Sequence, residues 1–183
     1  MKNIVSAALI GAAIFAMPGV ASAQDATGSG FVGVSAGYHD LGISDEDVGA
    51  DVDTASPIIG AYAGYDFMTG SNLFVGVEGN YHFGTDALDS DYGASARIGF
   101  AGQGGSKFYA RAGYQWFTLD YEEIVGVEDP NGEVFGDIED NFGDYLVGVG
   151  ADFPLGGTTA VRVNLDTISF DTLRATAGLQ YNF

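Results

Sequence analysis

From Phe31 to its last residue the chain alternates. Short stretches carry apolar side chains at every second position, with polar or small residues between them. Successive side chains of a β-strand point to opposite faces, so each stretch predicts a strand with one apolar and one polar face. The terminal stretch is the clearest: Leu173, Ala175, Ala177, Leu179, Tyr181 and Phe183 alternate with Arg174, Thr176, Gly178, Gln180 and Asn182. Seven further strands are predicted over 31–41, 57–67, 73–83, 92–100, 108–117, 144–153 and 158–168. Each is close to the roughly 9–11 residues that a tilted strand needs to cross a bilayer. No helical period competes.

The connections alternate as well. Three are short and turn-like, at 68–72, 101–106 and 154–157. Between them lie the longer, acidic stretches 42–56, 84–91 and 118–143, with a short fourth at 169–171. An even number of strands with short turns at one end and long loops at the other predicts an all-β fold, an eight-stranded antiparallel up-and-down transmembrane β-barrel. In that arrangement the mature termini and short turns lie in the periplasm, and the long loops outside the cell.

Charge placement sharpens this picture. No basic residue falls on the apolar faces, and one there would cost about 2–4 kcal/mol at the bilayer midplane. The basic residues beyond residue 23 are Arg97, Lys107, Arg111, Arg162 and Arg174, and all four arginines fall on the inward face. Folding the strands symmetrically about their connections sets Glu78 opposite Arg97, Arg97 opposite Arg111, and Asp166 opposite Arg174. A narrow barrel is filled by its own side chains, so buried charges need partners. A lumenal ion network of Glu78, Arg97, Arg111, Arg162, Asp166 and Arg174 is therefore expected to plug the bore. Aromatic residues sort to the strand ends, with Phe67, Phe100, Phe108, Phe153 and Phe183 toward the short turns. Tyr38, Tyr81, Tyr92, Tyr114, Trp116 and Tyr145 lie toward the long loops. Two interfacial girdles follow.

Composition narrows the partners. The formal net charge of −19 excludes nucleic acid, whose phosphates need a basic face. It also opposes direct docking onto anionic lipid. There is no cysteine, so neither disulfides nor thiolate metal sites hold the fold. Residues 1–23 read as a cleaved signal peptide: Lys2, an apolar run from Ile4 to Phe15, then Ala21-Ser22-Ala23 as the cleavage pattern. Residues 24–183 then form one barrel domain.

Taken together, these features resemble the opacity-protein and OmpA-like family of small outer-membrane β-barrels. The signal peptide, segments such as Phe74-Val-Gly-Val-Glu-Gly-Asn-Tyr81 and Phe108-Tyr-Ala-Arg-Ala-Gly-Tyr114, and the ending carry the likeness. The resemblance implies that Thr176, Gly178, Tyr181 and Phe183 form an assembly signal. It also implies insertion into the outer membrane of a Gram-negative bacterium by the barrel assembly machinery. No peptidoglycan-binding domain follows the barrel, so cell-wall tethering is not implied.

A lipid-deacylating barrel resembles a serine hydrolase, with His, Ser and an acid together on the outer wall. Here His39 and His82 are inward by parity, and neither is followed two residues later by Ser. They are expected to be hydrogen-bonding residues at the lumen rim. Neither Gly-x-Ser-x-Gly nor a phosphate loop is present. Asp45-Glu-Asp47, Asp51, Asp53 and the acids of 120–140 offer oxygen ligands to hard cations. The stretch Asp129-Pro-Asn-Gly132 lacks EF-hand spacing and reads as a turn. A solvated, self-repelling surface is the expectation, with calcium or magnesium bridging to lipopolysaccharide phosphates as the sharper alternative. No cofactor or dedicated metal site is predicted. The predicted role is non-enzymatic, structural and surface-interactive (adhesion-type), within outer-membrane lipid and lipopolysaccharide, with acidic loops facing a surface ligand or host partner. The rival is a small low-conductance porin, and a lipid-modifying enzyme is the weaker third.

Overall fold

Each alternating stretch forms a strand. The computed structural model describes residues 28–40, 55–69, 72–84, 88–119 and 141–183. The strands are β1 (Gly28–Asp40), β2 (Ala55–Met68), β3 (Leu73–Gly84), β4 (Leu88–Ala101), β5 (Lys107–Leu119), β6 (Asn141–Gly156), β7 (Thr159–Ile168) and β8 (Thr172–Asn182). Every strand pairs antiparallel with the next, and β8 returns to β1 from Phe31↔Asn182 to Asp40↔Leu173. The sheet therefore closes into an eight-stranded up-and-down barrel without a free edge.

The wall is inverted relative to a water-soluble barrel. Val34, Val77, Ile98, Val149, Leu165 and Leu179 face outward and are exposed, whereas Arg97, Arg162 and Arg174 are among the most deeply buried side chains. Apolar positions meet lipid, and the polar set fills the bore. At the long-loop end, Tyr81, Tyr92 and Trp116 stand directly opposite one another on β3, β4 and β5. Their rings are nearly parallel, with centroids 6.2 and 5.6 Å apart. At the short-turn end, Phe108 lies 5.7 Å from Phe100 and 5.9 Å from Phe153. The aromatics thus form two belts.

Two details depart from the expectations. First, β4 begins at Leu88, so Asp91 belongs to the wall and not to the connection at 84–91. Second, β3 and β4 are slipped by two residues from symmetric pairing: Glu78 faces Ser95, and Arg97 faces Gly76. A slip of two preserves the faces, because side-chain parity repeats every two residues. The other two pairings are as drawn, with Arg97 opposite Arg111 and Asp166 opposite Arg174.

The tight connections are built from glycines where the backbone needs them. Gly104 and Gly105 have φ of 78° and 83°, and Gly156 and Gly157 of 128° and 59°. The β7–β8 hairpin is different: Ser169 and Phe170 adopt φ of 59° and 65° although both carry side chains. Hydrogen bonds hold it, from Ser169 N to Tyr145 O (3.0 Å) and from Thr172 Oγ1 to Ile168 O (3.2 Å). The signal peptide expected at 1–23 and the acidic stretches at 45–53 and 120–140 lie outside the described residues.

Candidate functional site in the barrel lumen

Inward parity on eight strands brings a set of charges into one narrow bore. Arg97 on β4 donates to three strands: from Nη1 to Glu78 Oε2 on β3 (3.0 Å), and from Nη2 to Asp152 Oδ2 on β6 (3.1 Å) and Asp66 Oδ2 on β2 (3.3 Å). Its Nε lies 3.1 Å from Asp66 Oδ1, an ionic contact off the hydrogen-bond line. Arg162 on β7 grips Asp152 with Nε (2.7 Å) and Nη2 (3.0 Å), and its Nη1 donates to Glu78. Two parallel N–H···O bonds to one carboxylate are the strongest form of this contact. Lys107 donates to Asp66 at 2.7 Å.

A second tier lies toward the long loops. Arg111 on β5 holds Asp166 with Nε (2.7 Å) and Nη2, and reaches Glu78 with Nη1. Arg174 on β8 donates to Asp91 Oδ1 (2.8 Å) and contacts Asp166 (3.3 Å). Asp91 also accepts from Gln115 Nε2 (2.6 Å) and His82 Nδ1 (2.9 Å). His82 Nε2 lies 3.1 Å from Ser35 Oγ, and with the proton on Nδ1 it accepts from that hydroxyl. His39 Nδ1 lies 3.7 Å from the other Asp91 oxygen.

Aromatic rings complete the filling. Phe31 packs against two guanidinium groups, 4.7 Å from Arg97 and 4.5 Å from Arg162. Tyr109 stands 3.9 Å from Arg97, and Tyr62 stands 4.5 Å from Arg162. Desolvated cation–π contacts of this kind contribute about 2 kcal/mol each. Glycine leaves room for the ion pair: a Cβ at Gly76 would come 2.4 Å from Asp66 Oδ1 and 3.0 Å from Arg97 Cγ.

The sequence profile of the outer membrane protein beta-barrel domain matches residues 7–183. The chain belongs to that family. This outer-membrane barrel is also similar in fold to the N-terminal β-barrel domain of OprF from Pseudomonas aeruginosa. The identity there is 12%, with 87% of this chain and 100% of that chain covered and a TM-score of 0.56. A second likeness is to Ail, the attachment invasion locus protein of Yersinia pestis, solved in complex with the heparin analogue sucrose octasulfate. That match has 12% identity, covers 85% of this chain and 97% of that chain, and has a TM-score of 0.51. At such identities the likeness is one of fold. No curated protein matches the chain in sequence.

In this outer-membrane barrel all six residues expected in the ion network are buried in the bore. Glu78 joins Arg97, Arg111 and Arg162, and Asp166 joins Arg111 and Arg174. Sequence reasoning missed Asp66, Asp91, Asp152 and Lys107 as members. Parity alone could have found Asp66 and Asp152, which stand on inward positions. Asp91 and Lys107 needed the true strand bounds. Of the expected assembly signal, Thr176 is buried on the lumen side, while Tyr181 and Phe183 are exposed on the lipid side.

Proposed function

We propose that this outer-membrane barrel is a plugged, non-conducting protein with a structural and surface-interactive role. One observation carries the reading: the ion pairs cross the bore. Arg162 on β7 reaches Glu78 on β3, and Arg174 on β8 reaches Asp91 on β4. Each pair joins strands on opposite sides of the barrel. Among the described residues the ion pairs link five fixed cations (Arg97, Lys107, Arg111, Arg162, Arg174) to five carboxylates (Asp66, Glu78, Asp91, Asp152, Asp166). The balance leaves no surplus charge to attract a permeating ion, and opening the bore means separating paired ions at several kcal/mol each.

Export by the signal peptide at 1–23, periplasmic termini and insertion by the barrel assembly machinery belong to the same reading. Surface interaction falls to the acidic long connections. Ail was solved with a polysulfated ligand, whereas the net charge of −19 here directs this chain toward cationic ligands or host surfaces. Catalysis has no place in it: Ser35, His82 and Asp91 form a hydrogen-bonded row, but all three are buried in the filled bore, away from any substrate. Single-channel recording in planar bilayers tests the proposal. No steady current is expected from the wild type, while Glu78→Ala, which removes the shared carboxylate, produces openings. A steady wild-type current would instead make the protein a small low-conductance porin.

A further inference from the structure

Gly30 occupies an outward position of β1, in step with Val32, Val34 and Ala36, where a side chain would point to lipid. Its backbone does not require glycine. Among the described residues the positive-φ glycines are Gly104, Gly105, Gly156 and Gly157, and Gly30 is in ordinary extended conformation. The reason is a neighbour. A Cβ on Gly30 would stand 2.5, 2.8 and 3.1 Å from ring atoms of Phe183. The two residues also exchange both backbone hydrogen bonds, Gly30 N to Phe183 O and Phe183 N to Gly30 O, each at 2.9 Å. On its other side Gly30 pairs with Tyr65, whose ring covers Gly28: a Cβ there would meet Tyr65 Cε1 at 2.6 Å. Gly28 and Gly30 therefore form a notch between two rings, and Gly30 is buried although it faces lipid.

We propose that this notch is the receiving site for the terminal aromatic ring, and that seating Phe183 on Gly30 is the contact that closes the barrel. β1 and β8 are the strands farthest apart in sequence, so their pairing carries the largest loop-closure cost and follows the local hairpins. Backbone pairing alone tolerates slippage, whereas a ring packed on the bare face of a glycine favours one register. Moving Phe183 by one residue brings it to Ser29 or Phe31. Moving it by two brings it to Val32 or to Gly28, which Tyr65 already covers. The seating holds whether or not the ending is also read by an assembly machinery.

The test uses the full barrel, whose sequence has no cysteine of its own. Ala36 and Ala177 are paired across the seam, and both face outward and are exposed. Ala36→Cys with Ala177→Cys, oxidised at intervals during refolding into detergent, reads closure directly as intrachain cross-link. Gly→Ala within a strand ordinarily stabilises. Here Gly30→Ala is expected to slow cross-linking about tenfold, the scale of one overpacked contact. Adding Phe183→Leu should abolish that slowing, because the ring that the new methyl meets is gone. If Gly30→Ala does not fold at all, recovery of folding in the double variant decides for the proposal. Closure of Gly30→Ala at the wild-type rate, or a deficit that persists unchanged without the ring, overturns it.

Discussion

Arg97 and Arg111 stand directly opposite each other on β4 and β5, two buried like charges on adjacent strands. They are held there by a third residue. Glu78 accepts from Nη1 of both, one on each carboxylate oxygen, and also from Arg162. Asp66 and Asp152 then complete Arg97, and Asp166 completes Arg111. A like-charge pair survives in a low-dielectric bore because each member faces more than one carboxylate.

Glu78→Gln removes that shared anion without much change in volume. Three guanidinium groups are left around a neutral amide, and the loss of unfolding free energy is expected to be about 3–5 kcal/mol. Urea unfolding in detergent, followed by the mobility difference between boiled and unboiled samples, measures it. An unchanged midpoint would show that the charges are hydrated and not paired.

Asp91 collects Arg174, Gln115 and His82 at one point. Asp91→Leu alone leaves Arg174 only its long contact with Asp166 and is expected to cost about 3–5 kcal/mol. Arg174→Met in the same chain should restore most of the loss, since Asp166 keeps Arg111 as its partner. Equal midpoints for the single and double variants would mean that the pair contributes no coupling.

Val149 lies at mid-height on the outer wall, between Ala110 of β5 and Leu165 of β7. Val149→Arg is expected to destabilise the barrel in lipid by about 2–4 kcal/mol. Comparing Val149→Arg in lipid vesicles and in a short-chain detergent reads the environment: the penalty should shrink in detergent, and an identical penalty in both counts against burial in a bilayer.

Phe170 sits in the left-handed region at φ 65° with an exposed ring. A bulky residue there carries strain of about 1–3 kcal/mol. Phe170→Gly relieves it, and a gain of about 1 kcal/mol in stability is expected despite the greater freedom of the unfolded chain. A loss of stability would indicate that the ring contributes to anchoring at the membrane surface.

The sequence by itself determined which way each side chain points. Alternation is a local property of extended backbone, so strand number, lipid face, lumen face and the inward placement of all four arginines could be read from the chain alone. Phe67, Phe100 and Trp116 could likewise be assigned to the belts. What only the tertiary structure decided is who meets whom. Closing eight strands requires tilt and stagger, and these set which residues share a height in the bore. Hence Arg97 meets Glu78 diagonally and not across a direct pair, and Asp91 moves from a connection into the wall. Arg162 and Arg174 find partners on strands that no hairpin rule connects to theirs. The seat of Phe183 on Gly30 is of the same kind, since the two residues that close the wall belong to the first and last strands and meet only once the barrel has curved through a full turn.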